Sequence, residues 1–295
     1  MALDLLPIGD RVGDRYVVRD VLGHGAMGAV YEVEAADGTR LAMKAALPDL
    51  EDGGEAVRRL AREGNALQLL SHANIVAAID QVVEGGRLYL VMELARGQSL
   101  SAIVARGPLP PRRALVLVRQ ILDGVEHAHG RGVVHRDLKP DNVVVTVAGS
   151  VDDPYDRVKL LDFGLVKLLD DAAALIGGSR LTRTGMAFGT PAYIAPETAL
   201  GRPVDGRADL YAVGVMTFEM LTGRLPFVEA DPGKLLRAHV SSPPPRLAEV
   251  VAGAPWCTPA MEALIGGALA KATGDRFPNA AVMRACLDDA FLSVP

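Results

Sequence analysis

The apolar residues change their period near Met92, and that change restricts the fold more than any other feature of the chain. Before it, apolar and polar residues alternate at residues 16–22, 29–35 and 39–46, and Asp37-Gly38 supplies the turn between the second and third segments. Alternation around a two-residue Asp-Gly turn is the pattern of antiparallel strands. Residues 75–80 and 87–92, joined through Gly85-Gly86, read as two more. One helix interrupts the strands at residues 55–70, where Leu60, Leu67 and Leu70 share a face that also carries Glu63. After Met92 the spacing becomes helical. Residues 111–129 are amphipathic, with Leu115, Val118, Leu122 and Val125 on one side. Residues 209–221 are apolar nearly all round, which predicts a buried central helix ended by Gly223 and Pro226. Residues 258–272 and 278–290 read as closing helices after a proline-rich loop at 241–245. The class expected is α+β: a strand-rich part with a single helix, a hinge near residues 93–97, and a mainly helical remainder.

A chain of 295 residues can bury a large core, as one two-lobed domain or two small ones. Hydrophobic residues make up 49% of it but aromatics only 4%, so that core must be aliphatic. A net charge of −5 argues against a nucleic-acid partner. Cys257 and Cys286 are too few for a disulfide scaffold and read as small core residues in a reducing compartment. No run reaches the ~18 apolar residues of a membrane span. Residues 1–10 hold two acidic side chains and no basic one, unlike a secretory signal. These features predict a cytoplasmic protein, or the cytoplasmic domain of a larger membrane protein.

The chemistry is concentrated in His135-Arg136-Asp137-Leu138-Lys139-Pro140-Asp141-Asn142. Asp137 is a general-base candidate, Lys139 a nearby cation, and Asn142 an amide able to bind a metal. Asp162-Phe163-Gly164 follows and offers a second oxygen ligand at Asp162. Phosphoryl transfer needs such a set: a group that orients a hydroxyl, positive charge near the moving phosphate, and oxygen ligands for Mg²⁺. Upstream, Leu22-Gly23-His24-Gly25-Ala26-Met27-Gly28-Ala29-Val30 places glycines where backbone N–H groups can approach phosphates. A dinucleotide-binding turn has similar glycines but requires a helix directly after them. Here the following residues alternate as a strand. Lys44 lies in the next strand, and Glu63 sits on a helix face that is otherwise buried. A buried ion is costly unless paired, so each supplies what the other lacks.

The string from His135 to Asn142, with its downstream Asp162-Phe163-Gly164, resembles the catalytic loop of eukaryotic-like protein kinases. Lys139 in that loop resembles the serine/threonine branch in its bacterial form. The glycine flap, Leu41-Ala42-Met43-Lys44 and Ala195-Pro196-Glu197 also match that family, and the likeness covers about residues 13 to 290. It implies a bilobal protein kinase fold, with an N-terminal segment at 1–12, a β-rich N-lobe with one regulatory helix at 13–95, a mainly helical C-lobe at 96–290 and a C-terminal end at 291–295. The activation segment would be 162–197.

By that resemblance Lys44 would contact the α- and β-phosphates of ATP, paired with Glu63. Met92 would be the gatekeeper beside the adenine, whose edge would bond the backbone of Glu93 and Ala95. Leu22, Val30, Ala42 and Val144 would sandwich the ring. Asp137 would accept the acceptor hydroxyl's proton and Lys139 would stabilise the γ-phosphate. Asn142 and Asp162 would hold Mg²⁺, with Mn²⁺ as an alternative. Glu197 would pair with Arg276. Asp209 would hold the catalytic-loop backbone and cap its own helix. Gly64 would let the regulatory helix shift or fray.

Thr182 and Thr184 stand as phosphorylation candidates, with Arg136 buried beside their loop to receive the phosphate, and Thr190 would contact Asp137 and Lys139. Trans-autophosphorylation would pass through a transient homodimer. Ala102 departs from the pattern, standing where the family often has an acid for the ribose, so that contact would fall to Gln98 or Ser99. Asp141 follows Pro140 where some relatives use an acid to read basic substrates. The partner implied is a protein with a Ser or Thr acceptor. A pseudokinase would show damage at Lys44, Asp137, Asn142 or Asp162, and all four are intact. A small-molecule phosphotransferase of related fold would usually lack the segment around Glu197 and Thr190.

Overall fold

The computed structural model describes residues 5–25, 28–46, 55–147, 156–163 and 191–295. They fall into two compact units, Met1–Arg96 and Gly97–Pro295. In the first, six antiparallel strands lie in the order β1-β2-β3-β4-β6-β5. They are β1 (Arg11–Val12), β2 (Tyr16–Gly25), β3 (Gly28–Ala35), β4 (Arg40–Ala46), β5 (Ala78–Glu84) and β6 (Arg87–Glu93). Alternation does its expected work in β3, where Ala29, Tyr31 and Val33 are buried and their neighbours are not. With Met43, Val82, Tyr89 and Val91 they build the core on one face of the sheet. Leu5 and Leu6 of the N-terminal segment pack against that core.

The single helix of this unit, α1 (Glu55–Gln68), covers the other face, burying Leu60, Glu63, Ala66 and Leu67. The strand expected at 75–80 instead begins at Ala78. Ile75 and Val76 are nearly inaccessible, so their apolar character reflects burial of a connecting segment rather than a place in the ladder. A bulge between Ala78 and Asp80 then shifts the register against β6.

The second unit carries a small sheet ordered β7 (Gln98–Ser99), β8 (Val143–Val147), β9 (Asp156–Leu160). Its helices are α2 (Leu100–Val104), α3 (Pro111–His129), α4 (Pro196–Ala199), α5 (Arg207–Thr222), α6 (Pro232–Ser241), α7 (Leu247–Val250), α8 (Pro259–Ala268) and α9 (Ala280–Ser293). The helix apolar on all sides, α5, is buried from Ala208 to Phe218 and again at Met220 and Leu221. Gly223 ends it in the left-handed region at φ 72°, and its N–H bonds Glu219 O at 2.8 Å. The short α2 has no sequence period of its own; Ser99 caps it by accepting from Ala102 N at 3.2 Å.

His239 of α6 is fully buried, with Nδ1 2.9 Å from Tyr211 Oη, beside the Phe227 ring. The nearby Lys271 ammonium donates to His239 O at 2.8 Å. Burial, followed by the field of Lys271, lowers the His239 pKa to about 4. The unfolded chain therefore takes up a proton near pH 6.5 that the native state refuses until about pH 4. Stability is lost as the pH falls through that window, by at most about 3 kcal/mol from this group. Denaturant unfolding at pH 6.5 and 4.5 is expected to show a smaller acid loss in His239→Gln than in the wild type. Parallel losses would remove His239 as the source.

Candidate active site

In the second unit the residues from His135 to Asn142 form a loop between α3 and β8. Asp209, in the first turn of α5, holds its backbone. The carboxylate accepts from His135 N at 2.8 Å and Arg136 N at 2.9 Å. It is only 2% exposed, so these bonds are made away from competing water. The expected helix cap is not made: Asp209 lies inside the helix, Gly206 stands at the N-cap position, and the carboxylate is spent on the loop. Arg136 takes φ 64°, a left-handed conformation that costs a non-glycine residue free energy. The two Asp209 bonds at its edge supply what keeps it there.

Within this loop Asp137 Oδ2 accepts from Lys139 Nζ at 3.0 Å. Asn142 Nδ2 donates to Asp137 O at 2.8 Å. That commits the amide nitrogen to the loop and leaves the amide oxygen as the atom suited to a cation. Asp162 is brought to the same place through the backbone. Leu161 N donates to Asn142 O at 2.9 Å, while Leu161 O accepts from His135 Nε2 at 2.9 Å. His135 is fully buried and lies 4.6 Å from the equally buried Phe163 ring, centroid to centroid. Asp162 itself takes φ 46°, a second non-glycine residue in the left-handed region. Strain at Arg136 and Asp162 brackets the three polar groups Asp137, Asn142 and Asp162. An amide oxygen and a carboxylate are hard ligands that fit a divalent cation completed by phosphate and water oxygens.

In the first unit Lys44 Nζ donates to both Glu63 oxygens at 3.0 Å. The Glu63 side chain is 8% exposed, so the pair answers the burial of its acid. Gly28, at φ 151°, permits the glycine loop to close on β4: a Cβ there would overlap the Ala45 carbonyl. A Cβ on Gly23 would meet nothing within 4 Å, so packing does not demand glycine at that position. Leu22, at the start of the loop, is 47% exposed despite its apolar side chain. Gly25 pairs with Gly28 and His24 with Ala29, while Ala26 and Met27 lie outside the described residues.

Ala42 and Met92 are cross-strand partners and both are buried; Val30 is partly buried opposite Lys44. Glu93 N is bonded to Ala77 O at 2.9 Å, so any bond to a nucleotide falls to its carbonyl. Ala95 follows the end of β6. Val144 lies in β8, in the second unit, between Ser99 and Lys159.

Arg136 is exposed where burial beside its loop is expected, and its backbone N–H is bonded to Asp209. Ser99 caps α2 and meets Ser101 Oγ at 2.9 Å. Gly64 is closely packed: a Cβ there would come 2.6 Å from Gln81 Nε2 and 3.1 Å from Leu90 Cδ1. Thr182, Thr184 and Thr190 lie outside the described residues.

Sequence reasoning missed His129 and the pair Tyr193–Glu219. His129 Nε2 sits 2.8 Å from Asp209 Oδ2, reached across Gly206, where a Cβ would come within 2.6 Å of the imidazole. A histidine closing the helix just before the loop was the available signal. Tyr193 donates to Glu219 Oε2 at 2.6 Å. Burial raises the Glu219 pKa, and burial with this bond holds the Tyr193 hydroxyl protonated; the negative charge of Asp141 adds to both effects.

The family model for the protein kinase domain matches residues 16–284. Serine/threonine-protein kinase Pkn1 of Myxococcus xanthus is 42% identical over 281 residues, 95% of this chain and 38% of that protein. PkaB of Streptomyces coelicolor is 37% identical over 268 residues, covering 90% of this chain and 61% of its own length. PknD of Mycobacterium tuberculosis is 34% identical over 290 residues, covering 97% and 41%. The chain thus spans between about two fifths and three fifths of these relatives. The crystal structure of the Mycobacterium tuberculosis PknI kinase domain superposes with a TM-score of 0.72 at 26% identity, over 97% of this chain and all of that one. The fold is the α+β fold of these kinases, an antiparallel sheet with one helix followed by a mainly helical unit.

Proposed function

Because the chain belongs to the protein kinase family, we propose that it is the catalytic domain of an ATP-dependent protein serine/threonine kinase using Mg²⁺, with Mn²⁺ as the alternative metal. Use of ATP and a divalent cation goes with the family; the choice of metal and the residue roles are our reading. ATP supplies the γ-phosphoryl group, and the cation neutralises phosphate charge. In this reading Asp137 orients the substrate hydroxyl and takes its proton, and Lys139, already held by Asp137 at 3.0 Å, carries positive charge to the transferred group. Asn142 and Asp162 ligate the cation. Lys44, fixed by Glu63, holds the α- and β-phosphates, and the glycine loop covers them.

The observation that carries the proposal is that Asp137, Lys139 and Asn142 are bonded to one another on one strained loop, and that Leu161, the residue before Asp162, donates to the Asn142 carbonyl of that loop. Non-glycine residues held in the left-handed region, as Arg136 and Asp162 are, cluster at functional sites. Thr182 and Thr184 are the proposed autophosphorylation sites, modified in trans by a second copy of the chain.

Incubating the protein with γ-labelled ATP and Mg²⁺ or Mn²⁺ tests this directly. Label is expected on serine or threonine of an acceptor protein and on the segment containing Thr182 and Thr184. A wild-type protein that binds ATP and transfers none of it would establish the pseudokinase reading instead. Among the described residues no helix is long and apolar enough to cross a membrane.

A further inference from the structure

The first unit holds an alignment that the family likeness does not explain. Lys44 of β4 stands directly opposite Leu90 of β6, and Leu90 stands directly opposite Gln81 of β5. Directly paired residues of antiparallel strands project on the same face. Lys44, Leu90 and Gln81 therefore form one row across three strands, on the face covered by α1. Three consecutive residues of α1 answer that row. Glu63 takes the Lys44 ammonium at 3.0 Å. Gly64 presents bare backbone to Leu90 and Gln81. Asn65 Oδ1 accepts from Gln81 Nε2 at 3.3 Å.

The row depends on the bulge in β5. Ala78 pairs with Met92 and Asp80 with Val91, so Ile79 is the extra residue. Without it Gln81 would pair with Tyr89 and project into the opposite core, because a one-residue slip reverses every side chain beyond it. The bulge is itself anchored. Asp80 accepts from Tyr16 Oη at 2.8 Å and pairs with Arg15 at 2.7 Å, and its other oxygen accepts from Gln81 N at 2.8 Å.

We propose that Gln81 is a positioning residue for the Lys44–Glu63 pair: its amide, lying across the bare backbone of Gly64 and bonded to Asn65, sets the distance of α1 from the sheet and so the place of the Glu63 carboxylate. This rests on the kinase reading for its consequence in turnover, though not for its geometry. The glycine is then required for approach rather than for mobility. An alanine at position 64 must push Gln81 aside and press on Leu90, which is fully buried.

The test uses Gly64→Ala, Gln81→Ala and the double variant, read by steady-state kinetics and by amide hydrogen exchange of residues 55–68. Gly64→Ala is expected to lower kcat at least tenfold, with KM for ATP changed less than threefold, and to speed exchange in α1. Gln81→Ala alone is expected to lower kcat several-fold and to speed exchange in α1, because it removes the spacer and its bond to Asn65; in the Gly64→Ala background it is expected to recover only part of the loss, since it relieves the overlap without restoring the spacer. A purely local effect on helix propensity predicts the reverse for exchange, since alanine is a better helix former than glycine. The proposal is overturned if Gln81→Ala alone leaves kcat and α1 exchange at their wild-type values, if Gly64→Ala keeps kcat within twofold of wild type, or if α1 exchange in Gly64→Ala is unchanged or slower. Should the wild type transfer no phosphate, the kinase reading fails, and the exchange measurement alone decides the role of Gln81.

Discussion

Asp137→Asn is expected to lower kcat for phosphoryl transfer by roughly 10²–10⁴-fold, the range general-base catalysis supplies, while ATP affinity stays within a few-fold of wild type. The substitution is nearly isosteric, and Asn142 Nδ2 bonds the backbone oxygen of residue 137, not its side chain alone, so the loop keeps its main support. What is lost is the negative charge that orients a hydroxyl and receives its proton. The Oδ2 contact with Lys139 also weakens, from an ion pair to a neutral acceptor at best. Both losses act in the transition state and leave the ground-state hold on nucleotide to other residues. Single-turnover phosphorylation beside calorimetric ATP titration separates the two. Wild-type turnover in the variant would remove Asp137 from the role assigned to it, whatever happened to binding.

The loop of residues 135–142 is legible because the chemistry proposed for it is written in contiguous residues: a carboxylate, a cation and an amide follow one another closely, and no core-packing requirement imitates that order. Lys44 and Glu63 were legible for a different reason. Two charges on surfaces otherwise buried demand each other, and the distance of 3.0 Å shows the demand met. Glu197 and Arg276 were reached through the family likeness alone, since nothing local to either residue announces a partner so far along the chain. Residues acting through tertiary contact left weaker traces. His129 reaches Asp209 only because Gly206 clears the way, a fact about two elements that the sequence of neither contains. Helix propensity, a property of one segment, marks Gly64 only as a weak helix residue; the close approach of Gln81 and Leu90, on strands brought opposite by a bulge, is not visible in it. Ile75 and Val76 suggest a strand in the sequence because apolar runs fit a ladder and a buried connection equally well.

Arg276→Met is expected to destabilise the second unit by about 3–5 kcal/mol. The Arg276 guanidinium donates to Glu197 through two bonds, of 2.7 and 2.6 Å, and the residue is 4% exposed. It also donates to the carbonyls of Ala270 at 2.8 Å, Arg207 at 3.2 Å and Lys271 at 3.2 Å, and lies 5.0 Å from the Tyr211 ring centroid. Methionine fills much of the volume but satisfies none of these acceptors, and Glu197, itself 5% exposed, keeps an uncompensated charge. That asymmetry sets the size of the effect: removing one partner of a buried pair costs far more than the pair contributes over apolar residues of the same shape. Adding Glu197→Leu to Arg276→Met should therefore restore part of the loss rather than deepen it. Against a typical total of about 5–15 kcal/mol, the single variant should melt on the order of 10 °C below wild type, or fail to accumulate folded. Thermal and urea unfolding of the single and double variants supply the comparison. A single variant within about 1 kcal/mol of wild type would mean that the segment bearing Glu197 is held by its packing against α6, with the ion pair incidental.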